Sequence, residues 1–298
     1  MRKTALSICQ NVFYRINEPA ISTLLSLTEQ GDLQVRQILY DVCRHLRREG
    51  PFRQQIQNHS FATVASTNTY PLPRSYYKAV PWTFYNQNSN WQLIGPLSDA
   101  EFQAYKVGEL YIPTEFVWRI AGFDENALSE SGRQIEIYPT PSAVVTLSFD
   151  FVTGHLFVPP NWASSTAYVI GDYVNVNGRI YLCDTNGTSG STPPSGTDDN
   201  QSDGTTQWDH YDDPYDTIQD DADYCIFDAD LVELGLRAWY AEEQGGAIAQ
   251  RAEARFLREI DVMRYRFDGQ SSARGDQSSA GGGTMHRPYV SPGSWSFS

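Results

Sequence analysis

Residues 32–50, DLQVRQILYDVCRHLRREG, constrain the fold more than any other stretch. Val35, Ile38, Leu39, Val42 and Leu46 fall at i, i+3, i+4, i+7 and i+11, which gathers them on one face of an α-helix. Such a stripe has to be covered by another element. Asp32 is the expected N-cap. Gly50-Pro51 is the expected stop, because glycine enters the left-handed region freely and proline cannot continue the ladder. Arg36, Arg44, Arg47 and Arg48 lie off the stripe, three of them in the last turns, where a helix C-terminus favours cations. They form either a solvated face or a contact surface for a neighbouring chain.

The expected cover lies at the far end of the chain. Residues 231–244 (LVELGLRAWYAEEQ), capped by Asp228 or Asp230, read as a helix that pauses at Gly245-Gly246. Residues 249–267 then place Ala249, Ala252, Phe256, Ile260 and Met263 on a second stripe. Near the start, residues 4–17 read as a short helix or strand and 22–30 as a helical or turn segment. Beyond residue 268, a Ser/Gly-rich linker to 283 leads to an arm bearing Tyr289, Trp295 and Phe297. That arm is too aromatic for a discarded tail.

Between the helical ends the pattern changes to strands. Residues 61–69 read as a strand stopped at Tyr70-Pro71-Leu72-Pro73, since proline cannot donate to a ladder. Residues 77–86, interrupted by Pro81, and 91–95 read as further extended pieces. Ser98 followed by Glu101 is a capping box for a helix running to about Lys106. Residues 115–121, 134–138 and 143–153 alternate apolar with polar, the pattern of an antiparallel sheet with one wet face. The fold class expected is therefore α+β: a helical bundle from the two chain ends, plus an antiparallel β domain.

The 298 residues, 40% hydrophobic and 13% aromatic, suffice for one large core or two smaller ones. No run of apolar residues is long enough to span a membrane. The opening MRKTALSICQNVFYRIN is broken by Gln10, Asn11 and Arg15, so no cleavable leader is expected. Cys9, Cys43, Cys183 and Cys225 are scattered without metal spacing, and Cys43 beside Val42 reads as a small buried hydrophobe. A reducing compartment of synthesis fits this usage.

The net charge of −14 belongs to one segment: between Arg179 and Arg237 there is no Lys or Arg but there are fourteen Asp and Glu, and the rest of the chain is neutral. Nucleic-acid binding through a basic patch is accordingly not expected. His45, His59, His155, His210 and His286 show no zinc spacing, so no metal or other cofactor is expected. Asp198-Asp199-Asn200 with Asp203-Gly204 only loosely matches a calcium loop, and a solvated acidic loop is the expectation there. No nucleophile elbow or phosphate-cradling loop is present, so an enzyme is not expected.

The serial order of these segments resembles that of tailed-bacteriophage head-to-tail adaptor (neck) proteins. SICQNVFYRIN and the 32–50 helix come first, then YPLPRSYYKAVPWTFYN, WQLIGPLSDAEFQAYK, PTEFVWRIAG and RQIEIYPTPSAVVTLSFDFVT, and finally DADLVELGLRAWYAEEQG with a last helix. The resemblance covers residues 1–158 and 212–267 and rests on order, not on any single motif. It implies a non-enzymatic virion protein, made in the host bacterial cytoplasm. Twelve copies would form a ring under the portal protein, with a downstream tail or nozzle protein attached below. Double-stranded DNA would pass through the channel without sequence-specific binding. A tail-tube or stopper role is the near alternative. The arm with Tyr289, Trp295 and Phe297 is expected to dock on the portal or a neighbouring copy. The acidic segment would either face outward or line the channel and repel passing phosphates.

Residues 159–211 depart from that pattern. Trp162, Tyr168, Gly171, Asp172, Val174, Gly178, Tyr181, Cys183, Thr188, Ser189 and Trp208 are spaced as in small β modules of the chitin- or carbohydrate-binding kind. That resemblance implies aromatic rings stacking on sugars, and hence an alternative role in adsorption to a host glycan. Asp184-Thr185-Asn186-Gly187 stands where those modules carry an exposed aromatic pair. On the other reading, Trp162, Tyr168, Tyr181 and Trp208 are the small core of an inserted decoration.

Overall fold

A computed structural model describes residues 3–25, 30–50, 52–110, 116–122, 133–211, 213–243 and 249–277. Helices α1 (Ala5–Ile16) and α2 (Gln30–Glu49) open the chain, followed by a 3-10 turn (Arg53–Gln55) and strand β1 (Ile56–Ala62). Short strands β2 (Thr69–Pro71), β3 (Tyr76–Ala79), β4 (Tyr85–Asn86) and β5 (Trp91–Gln92) lead to α3 (Asp99–Lys106). Next come β6 (Val117–Ala121), β7 (Gln134–Tyr138), β8 (Thr146–Thr153) and β9 (Phe157–Val158). Then follow β10 (Ala167–Tyr168), β11 (Tyr173–Val176), β12 (Arg179–Thr185), β13 (Gly187–Thr188), β14 (Gln201–Asp203) and β15 (Thr206–Tyr211). Strand β16 (Tyr224–Cys225) precedes α4 (Ala229–Glu243) and α5 (Ala249–Gln277). The protein is thus mixed α and β, with five α-helices and several antiparallel sheets among the described residues.

Local chemistry sets most helix ends. The Thr4 hydroxyl accepts from Ser7 N–H (3.1 Å) to start α1, and Asn17 ends it in the left-handed region. Ser98 and Glu101 cap α3 reciprocally, as the box predicts. Asp228, not Asp230, caps α4, its carboxylate accepting from the N–H groups of Asp230 (3.1 Å) and Leu231 (3.2 Å). Two expected ends need correction. Helix α2 begins at Gln30, so Asp32 lies inside its first turn and is not the cap. Gly50 ends α2 without a left-handed turn. Glycine is needed there for closeness: a Cβ would stand 2.8 Å from Phe52 N and from Gln55 Oε1. Helix α5 also continues to Gln277, so residues 269–277, expected as linker, are helical. Once a helix is nucleated, each added residue costs little.

The strands depart further from expectation. Residues 56–62, not 61–69, form β1, and the three alternating segments do not join one sheet. Strands β2, β7 and β6 form one antiparallel sheet, in the order β2-β7-β6. Strand β8 belongs to another, with β1 along one edge and β3 and β4 in succession along the other. Pro81 separates β3 from β4, and the Thr83 hydroxyl fills the gap by accepting from Asp150 N–H (3.0 Å). Nor does β8 have a wet face: Leu147, Phe149, Phe151 and Val152 are all buried. The two sheets share an aromatic core in which Phe84 lies 5.0 Å, centroid to centroid, from both Trp118 and Phe149.

A second core joins the chain ends. Ile8 and Val12 of α1, Leu39 and Val42 of α2, Val232 and Leu236 of α4, and Phe256 and Ile260 of α5 belong to one buried cluster. Glu233 on α4 is enclosed, and takes Lys3 Nζ at 2.7 Å and Asn11 Nδ2 at 3.1 Å from the first helical region. A third, small core lies within residues 159–211, organised by a four-stranded antiparallel sheet in the order β11-β12-β15-β14. Strand β9, just before that segment, pairs with β16, which follows it after residues 212–223: Phe157 lies opposite Cys225 and Val158 opposite Tyr224.

Candidate functional site

The four aromatic residues singled out in residues 159–211 do come together. Alternation along β12 turns Tyr181 and Cys183 inward, where they meet Val174 and Trp208; Tyr181 and Trp208 are both 0% exposed. Tyr168 meets Trp208 edge to face at 5.0 Å. Trp162 packs against the same cluster. Asp203 organises the polar side: its Oδ2 accepts from the indole N–H groups of Trp162 (2.8 Å) and Trp208 (3.2 Å), and its Oδ1 from Gly190 N–H (2.7 Å). The Tyr181 hydroxyl donates to Gly196 O at 2.9 Å. Every polar atom of these rings therefore points to a protein partner, and two of the rings have no open face to offer a sugar. Asp203 is committed to three donors in place of a cation.

Beside this unit runs a cleft of about 500 Å³, the size range of small-molecule sites. Gln54, Gln57, His155, Asn161, Trp162 and Asn175 line it. Its polar lining is mostly carboxamide, with the His155 imidazole and the Trp162 indole beside it, suited to neutral hydrogen-bonding groups. Part of that capacity is already used, since Asn175 Nδ2 donates to Asn161 Oδ1 (2.9 Å) and Gln57 Nε2 to Gly178 O (3.3 Å).

The arginines of α2 are mostly turned to their own chain. Arg36 donates to Leu24 O at 2.9 Å. Arg44 pairs with Asp41 at 3.3 Å. Arg47 donates to Gly154 O at 2.7 Å and lies over the Tyr77 ring. Burial holds the Arg47 guanidinium below its ordinary value, against the pull of Tyr77 and Asp216. Arg48 is exposed. The length of arginine explains the difference from a bare solvated face: the head reaches carbonyls left over at the ends of other elements.

The acidic segment is likewise not a simple solvated run. Asp223 is fully buried, and its Oδ2 accepts from Tyr215 hydroxyl (2.9 Å), Gln219 N–H (2.7 Å) and Asp220 N–H (3.0 Å). Burial pushes the Asp223 carboxyl above its ordinary value despite those donors. Asp221 accepts from Leu24 N–H at 2.7 Å, and Asp213 pairs with Arg74 at 3.2 Å. Asp221 and Asp223 need no lysine partner because backbone N–H groups donate to them. Among the described residues, no group of three His, Cys, Asp or Glu side chains is arranged to hold a metal ion. No described helix is long and apolar enough to cross a membrane.

Tyr289, Trp295 and Phe297 lie outside the described residues. Sequence reading missed the meeting of Cys43 and Cys225, whose sulfurs stand 3.6 Å apart although 182 positions separate them. No protein-family model matches the chain, and no curated protein matches it either.

Proposed function

We propose that the chain is a structural virion protein, a head-to-tail adaptor that assembles side by side into a ring under the portal of a tailed bacteriophage. In this reading α1, α2, α4 and α5 form the bundle, the sheets around β8 and β7 form the β domain, and residues 159–211 are an insertion. The observation that carries it is the common apolar core of the chain ends, where α1 and α2 meet α4 and α5 across the intervening β sequence. The order of segments that resembles neck proteins needs that closure. The β9–β16 ladder supports the insertion, because it holds together the strands that flank residues 159–223. Ring contacts would be heterologous and close by rotation. The ring would number about twelve copies by resemblance to such proteins, with DNA passing through it and a tail or nozzle protein below.

Enclosure of Tyr181 and Trp208 argues against adsorption to a glycan through ring stacking, and favours a small core for a decoration. Removing the chain from the infecting phage separates the readings. An adaptor predicts filled heads without tails. Complete tailed particles that fail to bind cells would contradict the adaptor and support adsorption. Electron microscopy of the native particle would separate an adaptor ring from a stopper or tube by its level below the portal.

A further inference from the structure

We propose that Cys43 and Cys225 form an oxidation-closed cross-link that staples helix α2 to the segment leading into α4. The two sulfurs already stand 3.6 Å apart, in contact, and a disulfide bond of about 2.05 Å needs them to close by about 1.5 Å. One thiol comes from the middle of α2, the other from β16, so the bond would join the two ends of the helical core. Both are enclosed, and Cys9 of α1, fully buried, belongs to the same cluster. All three are free thiols. Packing alone asks only for small apolar side chains here; nothing in it requires two sulfurs in contact.

Enclosure sets how the bond can form. Burial raises the Cys43 thiol well above its ordinary value, so thiolate is scarce and reaction is slow at neutral pH. The oxidant must also be small, and hydrogen peroxide meets that need. The Cys43 thiolate attacks one peroxide oxygen, the O–O bond breaks, and hydroxide leaves to take a proton; Cys43 becomes a sulfenic acid. The Cys225 thiol then attacks that sulfur, the S–O bond breaks, and a second water leaves. One peroxide is reduced to two waters, and two thiols are oxidised to one disulfide. The folded chain changes little, while the unfolded chain loses the freedom of a very long loop. A protein made in reducing surroundings and released into oxidising ones would so be locked after folding. The cross-link does not depend on the adaptor role.

The test uses the full-length chain, treated with peroxide or kept in a phosphine reductant, then mapped by non-reducing peptide mass spectrometry and melted. The expected result is a linked pair of peptides containing Cys43 and Cys225, with the loss of two hydrogens. An apparent melting temperature higher by roughly 8 °C, reversed by reductant, should accompany it. Cys9→Ala should keep both the link and the shift, and Cys225→Ala should abolish both. Oxygen addition to these cysteines without a linked peptide, or linkage through Cys9 or Cys183 instead, would overturn the proposal. Should Cys225→Ala fail to fold, the peptide map of the wild-type chain decides alone.

Discussion

Gly235 of α4 faces Val42 of α2 so closely that a Cβ on Gly235 would stand 2.7 Å from Val42 Cγ1. The Phe256 ring of α5 closes the same spot, with ring carbons 2.8 Å from that Cβ position. Three helices from opposite ends of the chain therefore meet at one glycine. Gly235→Ala adds about 1 kcal/mol of helix propensity but overpacks a stiff valine and an aromatic ring, at a cost of about 1–3 kcal/mol. The expected net effect in urea unfolding is a loss of about 1 kcal/mol. A gain in stability would mean that α2 and α4 do not approach so closely.

Glu136 ties the β7 strand to its surroundings through Lys106 Nζ at 2.5 Å and Arg119 at 2.6 Å. Burial raises its carboxyl, but the hydrogen bonds and charges of those two partners outweigh burial and hold it below the ordinary value of 4.5. A lowered folded value stabilises the fold above 4.5, and that stabilisation is lost as pH falls through the lowered value. Glu136→Gln should lose about 2 kcal/mol near neutral pH and show a flatter acid limb than wild type. Urea midpoints between pH 3 and 7, which bracket the ordinary value of about 4.5, measure both.

Asp223 has the opposite sign. Its folded value is raised, so its contribution is full below the ordinary value of 3.8 and declines as pH rises through the raised one. Asp223→Asn should therefore gain on wild type as pH rises from 3.8 to the raised value, and hold a constant advantage above it. A constant difference between the two proteins from acid to neutral pH would contradict this account of the buried carboxyl.

Trp82 and Trp208 make a contrasting pair. Trp82 is 70% exposed with φ +64°, a conformation that costs a bulky residue but not glycine. Trp82→Gly should raise stability by about 0.5–1 kcal/mol. Trp208→Ala empties the centre of a small core and strips one donor from Asp203, so a loss of about 3–5 kcal/mol is expected for residues 159–211. Near-uv circular dichroism and urea unfolding would read both.

What the sequence made legible was local. The capping box at Ser98 and Glu101 and the stripe from Val35 to Leu46 each need only neighbours within a few residues, and both are present in the fold. Alternation told which β8 residues would be apolar but not which strand they would pair with, since period 2 carries no partner information. The 146–153 strand accordingly left the sheet expected for it. Asp221 meets Leu24 across 197 positions, and Cys43 meets Cys225 across 182; no local pattern encodes either. Arg36 and Arg47 read as surface because their carbonyl acceptors lie on other elements. The aromatic quartet was legible as a cluster, while its enclosure depended on Asp203 supplying the acceptor for both indoles.

Sedimentation of the purified full-length chain over a wide concentration range, alone and with portal rings, tests the adaptor account most directly. An adaptor ring gives a closed species, or a portal-bound increment, of about 400 kDa, twelve times the 33.6 kDa chain. A species that stays at the mass of one chain under all conditions, and leaves the portal ring unchanged, would contradict it.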